Sequence, residues 1–536
     1  MNSMVNISIY GSHNAAYAVS VDGAIKEVIE IERLLNYKNS GLAQYKCPKI
    51  KDILFWGKFI PKMLHKKYNV AEFDKCFYLN SDIVLDESYS LERYIKAKEY
   101  VSVNHHVAHA NGVFYQSPYK EAIIFSFDGG GNDGTFNIYH AERNNGCSLL
   151  ERVLRSDGND YDIGFPYMAI AHYLDDIRYE ELSDGNLVYP GKIMGLCSYG
   201  KVIGEWVSAF TDFYKSGISG LNIDEKISDL SAAIGVELTT KKRISGQVAY
   251  DLAATSQRVF EDCFLEIAMP YIERYKDLPV CMAGGCAMNI ILNTRVYNIK
   301  NGNVFVGPNS NDCGIAIGML LSDIKPTKQC DITYAGIDLL DRDMLPLYMN
   351  DSHKTYSGFL DVKEVGDDII SGKIIGTIIG KSEHGQRALG NRSILCNPTI
   401  AGMRDKINKE IKKREWYRPF APVVRLYDVN RYFKFASESR WMCYAVEVRE
   451  EYRGVLSEIT HVDGTARVQT VTREQHGFLF DLLTYIEEMT GVGVLLNTSF
   501  NVNGKPLISS LSDAFSILNN TDLDGLIVDD VYIKKG

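Results

Sequence analysis

One pattern occurs twice in this chain and restricts its fold more than any other feature: a buried strand runs into a polar turn, and a hairpin follows. The first copy predicts a strand over 6–10, the turn Gly11-Ser12-His13-Asn14, and strands over 16–21 and 25–31 joined at Asp22-Gly23. Asp-Gly between alternating apolar runs supplies the positive φ that tight hairpin turns demand. The second copy predicts a strand over 122–127, the turn Asp128-Gly129-Gly130-Gly131-Asn132-Asp133-Gly134, and strands over 135–142 and 148–154 around Asn144-Asn145-Gly146. Two such units suggest a duplicated α/β fold, although two unrelated β-meanders would read the same way. Between them, residues 91–110 have helical character, which places His105-His106-Val107-Ala108-His109 near the end of a helix.

The pattern continues with a long amphipathic helix over 246–269 and a strand over 280–283 that ends in Gly284-Gly285-Cys286-Ala287-Met288-Asn289. A strand over 303–306 then meets Gly307-Pro308-Asn309-Ser310-Asn311-Asp312-Cys313-Gly314, and an apolar helix begins at Ile315. Residues 323–351 read as irregular and polar, and from about Val362 the chain becomes β-rich with arginine-containing turns. The expected domains are therefore residues 1–345 and 346–536. A chain of 536 residues exceeds one ordinary core, which agrees. The net charge of −10 removes an overall basic footprint for nucleic acid and leaves a local groove open. The N-terminus lacks the charged and apolar regions of a signal peptide, and no apolar run approaches the roughly 20 residues of a membrane helix. Eleven cysteines, none in a CxxC pair, fit reduced thiols in a cytoplasmic protein.

On a helix, His105 and His109 at i and i+4 share a face and suit one cation, while His106 points elsewhere. By itself such a pair is weak evidence. Asp128 and Asp312, at turns that end buried strands, would complete an oxygen-rich shell suited to iron(II), zinc or manganese; as turn caps they would look the same. Gly130 and its neighbours, Gly284 with Gly285, and the 307–314 turn with Asn311 expose backbone N–H groups of the kind that cradle phosphate. Pro190-Gly191-Lys192-Ile193-Met194-Gly195 adds a lysine. In the second domain Arg387, Arg392, Arg414 and Arg418 lie among apolar residues and Arg467 follows in Asp463-Gly464-Thr465-Ala466-Arg467, so bidentate anion recognition is expected of them. Lys409, Lys412 and Lys413 read as a solvated face. Asn497 and Ser499 supply neutral hydrogen-bonders.

HHVAHA, FDGGGNDG, GKIMGL, GGCAMN, GPNSNDCGIAIG, EHGQRALGNRS, KKREWYRPFAP, HVDGTARVQ and LLNTSFNVNGKP occur in the order seen in the NodU/CmcH-type O-carbamoyltransferases, which this chain resembles from Ile9 to about Leu511. The resemblance implies an actin-like (ASKHA) N-terminal domain similar to the tRNA threonylcarbamoyl transferases, then an α+β YrdC-like domain. It implies carbamoyl-adenylate formation from ATP and carbamoyl phosphate in the second domain, with Mg²⁺ accompanying the ATP, and carbamoyl transfer to an acceptor hydroxyl in the first. By the same resemblance His105, His109, Asp128 and Asp312 match metal ligands, iron(II) foremost. Lys192, Gly195, Gly285 and Asn289 match the carbamoyl-adenylate cradle, and the five arginines match anion positions, with Asn497 and Ser499 near them. His13, at the tip of the first strand, is the expected base, with Lys192 and Asp128 as its catalytic companions; a histidine that only orients its loop would look the same.

Three departures stand out. Gln386 replaces the usual proline, Asn14 follows His13 where the family has aspartate, and the segment from Tyr173 to Asp184 replaces a Tyr-Leu-Gly-Phe approach. That segment and residues 36–82 are the expected acceptor-shaping parts. The expected partner is a small-molecule hydroxyl acceptor; a hydroxymethylated nucleotide or DNA base stays open, a membrane is not expected, and a homodimer is compatible. The competing readings are an actin-like ATPase or kinase, and a non-catalytic nucleotide-binding scaffold. Neither accounts for the arginine motifs together with the paired histidines.

Overall fold

The computed structural model describes residues 3–41, 50–79, 95–177, 185–218, 222–349, 354–357 and 359–535. Contacts divide the chain into two compact units, Met1–Ile332 and Thr333–Gly536.

The first unit is α/β and duplicated. Its first sheet holds β1 (Val5–Tyr10), β2 (Ala16–Val21), β3 (Ala24–Glu30), β4 (Phe73–Leu79) and β5 (Ala97–Val103) in the order β3-β2-β1-β4-β5. Its second holds β6 (Glu121–Phe127), β7 (Phe136–Glu142), β8 (Gly146–Arg152), β9 (Val280–Ala283) and β10 (Val304–Val306) in the order β8-β7-β6-β9-β10. Each sheet is an antiparallel three-strand meander followed by two parallel strands. Even the register slip recurs, at Val19/Ser20 in one meander and Ile138/Tyr139 in the other. Two unrelated meanders would not share order, direction and slip, so the duplication holds.

Four helices of this unit are α1 (His105–Gln116), α2 (Gly185–Leu196), α3 (Gln247–Arg274) and α4 (Ile315–Ile324). Helix α1 follows β5 of the first sheet yet packs on β6 and β9 of the second; α4 follows β10 of the second yet packs on β1, β2 and β4 of the first. The two crossing helices meet each other at glycines. A Cβ on Gly318 would sit 2.0 Å from the Ala108 carbonyl oxygen, and one on Gly112 would sit 3.4 Å from Gly318 Cα. Beneath the second sheet, Phe264 of α3 packs on Phe125, Phe127 and Phe136 with ring centroids 5.5, 4.7 and 5.7 Å away. The far end of α1 is fastened by Arg143, whose buried guanidinium donates to the carbonyls of Tyr115, Ser117, Tyr119, Pro326 and Lys328. A cation there also opposes the negative end of the helix dipole.

The expected helix over 91–110 is corrected. Residues 97–103 form β5, because Val101 and Val103 pair with Phe77 and Leu79 of β4 and the sheet outweighs local helical preference. The histidine run therefore opens α1 and does not close a helix. Part of the expected acceptor-shaping region, residues 42–49, 80–82 and 178–184, lies outside the described residues.

The second unit is α+β. Its strands are β11 (Lys354–Ser357), β12 (Ile375–Ile378), β13 (Ser393–Cys396), β14 (Ala421–Arg425), β15 (Val446–Glu447), β16 (Thr465–Ala466), β17 (Gln469–Val471), β18 (Val494–Ser499), β19 (Gly525–Val528) and β20 (Val531–Lys535). Eight of them form one mixed sheet, β11-β20-β19-β12-β13-β18-β14-β17, and β15 pairs with β16. The helices Val362–Ile370 and Gly477–Thr490 cover the sheet and bury Val365, Ile369, Leu479 and Leu482 against Ile375, Leu395 and Leu495. The unit begins at Thr333, ahead of residue 345, because the intervening backbone is bonded into it. His384 donates to the Thr333 carbonyl at 2.9 Å, and Leu340 donates to that of Ser509 at 2.9 Å. Among the described residues no helix is long and apolar enough to cross a membrane.

Candidate metal centre and anion site

The first turn of α1 lies against the glycine turn after β6. Asn132 Oδ1 accepts the His105 N–H and Asp133 Oδ1 the His106 N–H, both at 2.9 Å, so that turn satisfies the orphan donors of the helix start. The turn can wrap this closely because Gly131 is bare: a Cβ there would lie 3.0 Å from the His105 ring. Gly129 N–H bonds Asp128 Oδ1 at 2.7 Å, while Gly130 has open space beside it. The Gly285 N–H donates to Asp128 Oδ2 at 2.6 Å and the Gly284 N–H to the Ser310 carbonyl at 2.7 Å, tying three turns together. Gly284 has φ +90°, and a Cβ there would lie 2.1 Å from the Phe127 carbonyl oxygen.

These turns bring His105, His109, Asp128 and Asp312 together, with one donor atom of each within 4.8 Å of the others. The two imidazole Nε2 atoms are 3.0 Å apart. His109 Nε2 lies 3.4 Å from Asp128 Oδ2 and 3.3 Å from Asp312 Oδ1; His105 Nε2 lies 3.9 and 3.7 Å from the same oxygens. The histidines and Asp312 are buried and Asp128 is half-buried. Burial alone would lower the pKa of His109, but hydrogen bonds to Asp128 and Asp312 and their charges push it up to about 9. Burial would raise both carboxyls; His105 and His109 hold Asp128 well below the usual carboxylate range, and His13 with the same pair lowers Asp312. Two imidazoles and two carboxylates aimed at one buried point are a donor set for a divalent metal, so these residues fit one.

His106 is not part of the set. Its Nε2 lies 2.9 Å from the Gly134 carbonyl and its Nδ1 2.7 Å from Ser126 Oγ. Burial pushes it down to about 3, so it is neutral, with the proton on the nitrogen that faces the carbonyl. His13 stands at the rim, with Nε2 3.3 Å from Asp312 Oδ2 and Nδ1 3.2 Å from Asn14 Oδ1. Lys192 and Gly195 are buried on α2. Asn289 caps the helix Ile290–Ile299 by accepting from Leu292 N–H at 3.0 Å, and it shares a buried amide pair with Gln257, to which Tyr167 also bonds. Asn311 Oδ1 lies 2.9 Å from the Cys313 thiol.

Two residues in this region escaped the sequence reading. Tyr10 donates to Asp312 Oδ2; the signal was the polar face Asn6, Ser8, Tyr10 on an otherwise apolar strand. Asp162, pushed up to about 7 by burial, caps the turn before Gly164, which lies against Cys286 and Gly129.

In the second unit the structure gathers three of the five expected arginines. Burial and the charge of Arg418 hold Arg387 below the usual guanidinium range, and burial with the charges of Arg387 and Arg418 holds Arg467 well below it. Arg418 pairs with Glu415 at 3.4 Å, whereas buried Arg467 Nε has no hydrogen-bond partner among the described residues. Asn497 Nδ2 donates to the Ala388 carbonyl at 3.2 Å and to Gln469 Oε1 at 2.6 Å, and its buried Oδ1 is likewise unmatched. Clustered cations and the unmatched Arg467 N–H suit an anion, and the unmatched Asn497 oxygen, an acceptor, suits a donor beside it. Arg392 instead braces its own loop, donating to the carbonyls of Ile379, Gly380 and Asn391. Arg414 bonds Asn408 Oδ1 at 2.6 Å and lies over the Phe420 ring at 4.4 Å.

Residues 13–321 match the family described as Carbamoyltransferase N-terminus, and residues 366–535 the one described as Carbamoyltransferase C-terminus. The chain belongs to the carbamoyltransferase family. It is 33% identical over 458 residues to the nodulation protein NolO of Bradyrhizobium diazoefficiens, covering 81% of this chain and 79% of that one. It is 35% identical over 289 residues to the 3'-hydroxymethylcephem-O-carbamoyltransferase of Amycolatopsis lactamdurans, covering 53% of each. It is also 28% identical to the uncharacterized protein sll1178 of Synechocystis, over the full length of this chain and 97% of that one.

In this carbamoyltransferase the reading of Lys412 as solvated is overturned. Lys412 closes a π-helical turn, Ile407–Lys412, and the left-handed Lys413 (φ 51°) doubles the chain back. Lys412 is thereby turned inward and donates to the Ser499 carbonyl at 2.6 Å, to Ser499 Oγ at 3.0 Å and to Asn501 Oδ1, while Lys409 and Lys413 stay outside. Ser499 is thus placed by a buried ammonium.

Proposed function

We propose that this carbamoyltransferase is an ATP-dependent O-carbamoyltransferase with its chemistry divided between its units. The observation that carries the reading is that division: a buried His₂Asp₂ set in the first unit and a cluster of guanidiniums with an unmatched Arg467 N–H in the second. Arg387, Arg418 and Arg467 would hold the phosphates while water splits carbamoyl phosphate into carbamate and phosphate, and while carbamate attacks the α-phosphorus of ATP to form carbamoyl-adenylate and release pyrophosphate. Asn497 and Ser499 would take neutral groups of the same substrates, with Mg²⁺ accompanying the nucleotide. Carbamoyl-adenylate is an activated mixed anhydride, so no covalent enzyme intermediate is required.

In the first unit His105, His109, Asp128 and Asp312 would hold a divalent cation, iron(II) by first choice. When bound, the cation supplies Lewis-acid polarisation of the carbamoyl oxygen. His13, held by Asp312, would take the proton of the acceptor hydroxyl. Lys192 and Gly195, with the backbone at Gly284 and Gly285, would line the adenylate's side. A small-molecule hydroxyl is the proposed acceptor, supported by the cephem relative, whose name specifies a hydroxymethyl group.

The test is to incubate the protein with ATP, carbamoyl phosphate and a panel of hydroxyl compounds, including sugars and hydroxymethylated nucleosides. The expected result is a mass gain of one carbamoyl group with AMP, pyrophosphate and phosphate released. Production of ADP without carbamoylation would replace this reading with that of a kinase or ATPase.

A further inference from the structure

Asp312 uses its two oxygens differently. Oδ1 faces His109 at 3.3 Å and His105 at 3.7 Å. Oδ2 accepts from the Tyr10 hydroxyl and lies 3.3 Å from His13 Nε2. Tyr10 is the last residue of β1, and alternation along a strand puts it on one face with Ser8. The Ser8 hydroxyl donates to the Ala316 carbonyl at 2.6 Å. Two hydroxyls two residues apart on β1 therefore fasten the start of α4, and one of them ends on a metal-type carboxylate. Tyr10, Ser8 and Asp312 are all buried, so water does not compete for these bonds.

We propose that Tyr10 is a positioning residue for the metal centre: by occupying Oδ2 it leaves Asp312 a single oxygen for the cation and fixes its direction. A carboxylate with both oxygens free can swing or bind through both. One whose outer oxygen carries a donated hydrogen bond keeps its orientation, and part of its charge is withdrawn from the cation. Loss of such an outer partner typically costs about 10–100-fold in metal affinity. The inference rests on His105, His109, Asp128 and Asp312 being the metal centre.

The test uses the full-length protein stripped of metal and titrated with Co(II) against a chromophoric chelator, reading both affinity and the visible Co(II) spectrum. Tyr10→Phe should bind roughly 10–100-fold more weakly, with an altered spectrum. Ser8→Ala removes the neighbouring strand–helix bond without touching Asp312 and should keep wild-type affinity. An equal loss in Ser8→Ala would make the Tyr10 effect one of helix anchoring and overturn the proposal. Wild-type affinity and spectrum in Tyr10→Phe would overturn it too, provided that His109→Ala abolishes binding. If the wild type binds no Co(II), or His109→Ala binds as well as the wild type, the metal centre itself is refuted.

Discussion

Metal uptake by the first unit should depend steeply on pH through the neutral range. Only a neutral imidazole can bind a metal, and in the metal-free site the carboxylates of Asp128 and Asp312 push His109 up to about 9. Each metal bound below that pH must displace a proton, so log affinity rises by about one per pH unit. From about pH 6 to about pH 8 the gain is roughly a hundredfold, or about 2.7 kcal/mol at about 1.36 kcal/mol per unit. An ordinary imidazole, titrating near ~6.5, would give almost no gain above about pH 7. The interval from about pH 7 to about pH 8 therefore separates the two cases: about tenfold against nearly none. Competition with a chelator of known pH dependence measures the affinity. Calorimetry in buffers of different ionisation heat counts the protons. A flat affinity over that interval with no proton released would refute the reasoning. The same proton stabilises the metal-free fold, fully below the unfolded pKa near ~6.5 and progressively less as pH rises through about 9.

Other outcomes follow from the same geometry. His13→Asn should abolish carbamoyl transfer and leave ATP–pyrophosphate exchange intact; loss of both would refute the base assignment. Arg467→Met should abolish that exchange and raise the ligand-free melting temperature by a few degrees, because a buried cation is removed from beside Arg387 and Arg418. Gly318→Ala, whose Cβ would meet the Ala108 carbonyl at 2.0 Å, should cost about 1–3 kcal/mol in denaturant unfolding, and Gly112→Ala, at 3.4 Å, should cost clearly less. His106, lowered to about 3, takes its proton only on unfolding over the acid range, so stability should fall as pH drops from about 6.5 toward 3. That slope should flatten in His106→Gln.

The duplicated meanders were legible in the sequence because strand alternation and Asp-Gly turns are local properties, and residues 280–283 and Ile315 mark element bounds that the structure keeps. The metal-type cluster was legible because its residues are strong ligands at strand and helix ends. What escaped depends on distant chain segments. β5 reads as helix until β4 supplies its pairing partner. Lys412 reads as one of three surface lysines until a π-helical turn reverses the chain. Tyr10 reads as core, since the polar face it shares with Asn6 and Ser8 does not name the carboxylate three hundred residues away. Arg392 and Arg414 read like their neighbours, yet local carbonyls, an amide and a ring hold them.

The exchange of α1 and α4 between sheets makes the two lobes inseparable. A fragment ending after α1 would keep the first sheet without the helix that covers it and would display Val113 and Phe114 with no sheet to receive them. The complementary fragment would strand Ile315, Ile317 and Leu320 in the same way. Neither half should fold when expressed alone, while co-expressed halves should reassemble and restore the His₂Asp₂ cluster across a broken backbone. The repeat unit visible in the sequence is thus not the unit that folds.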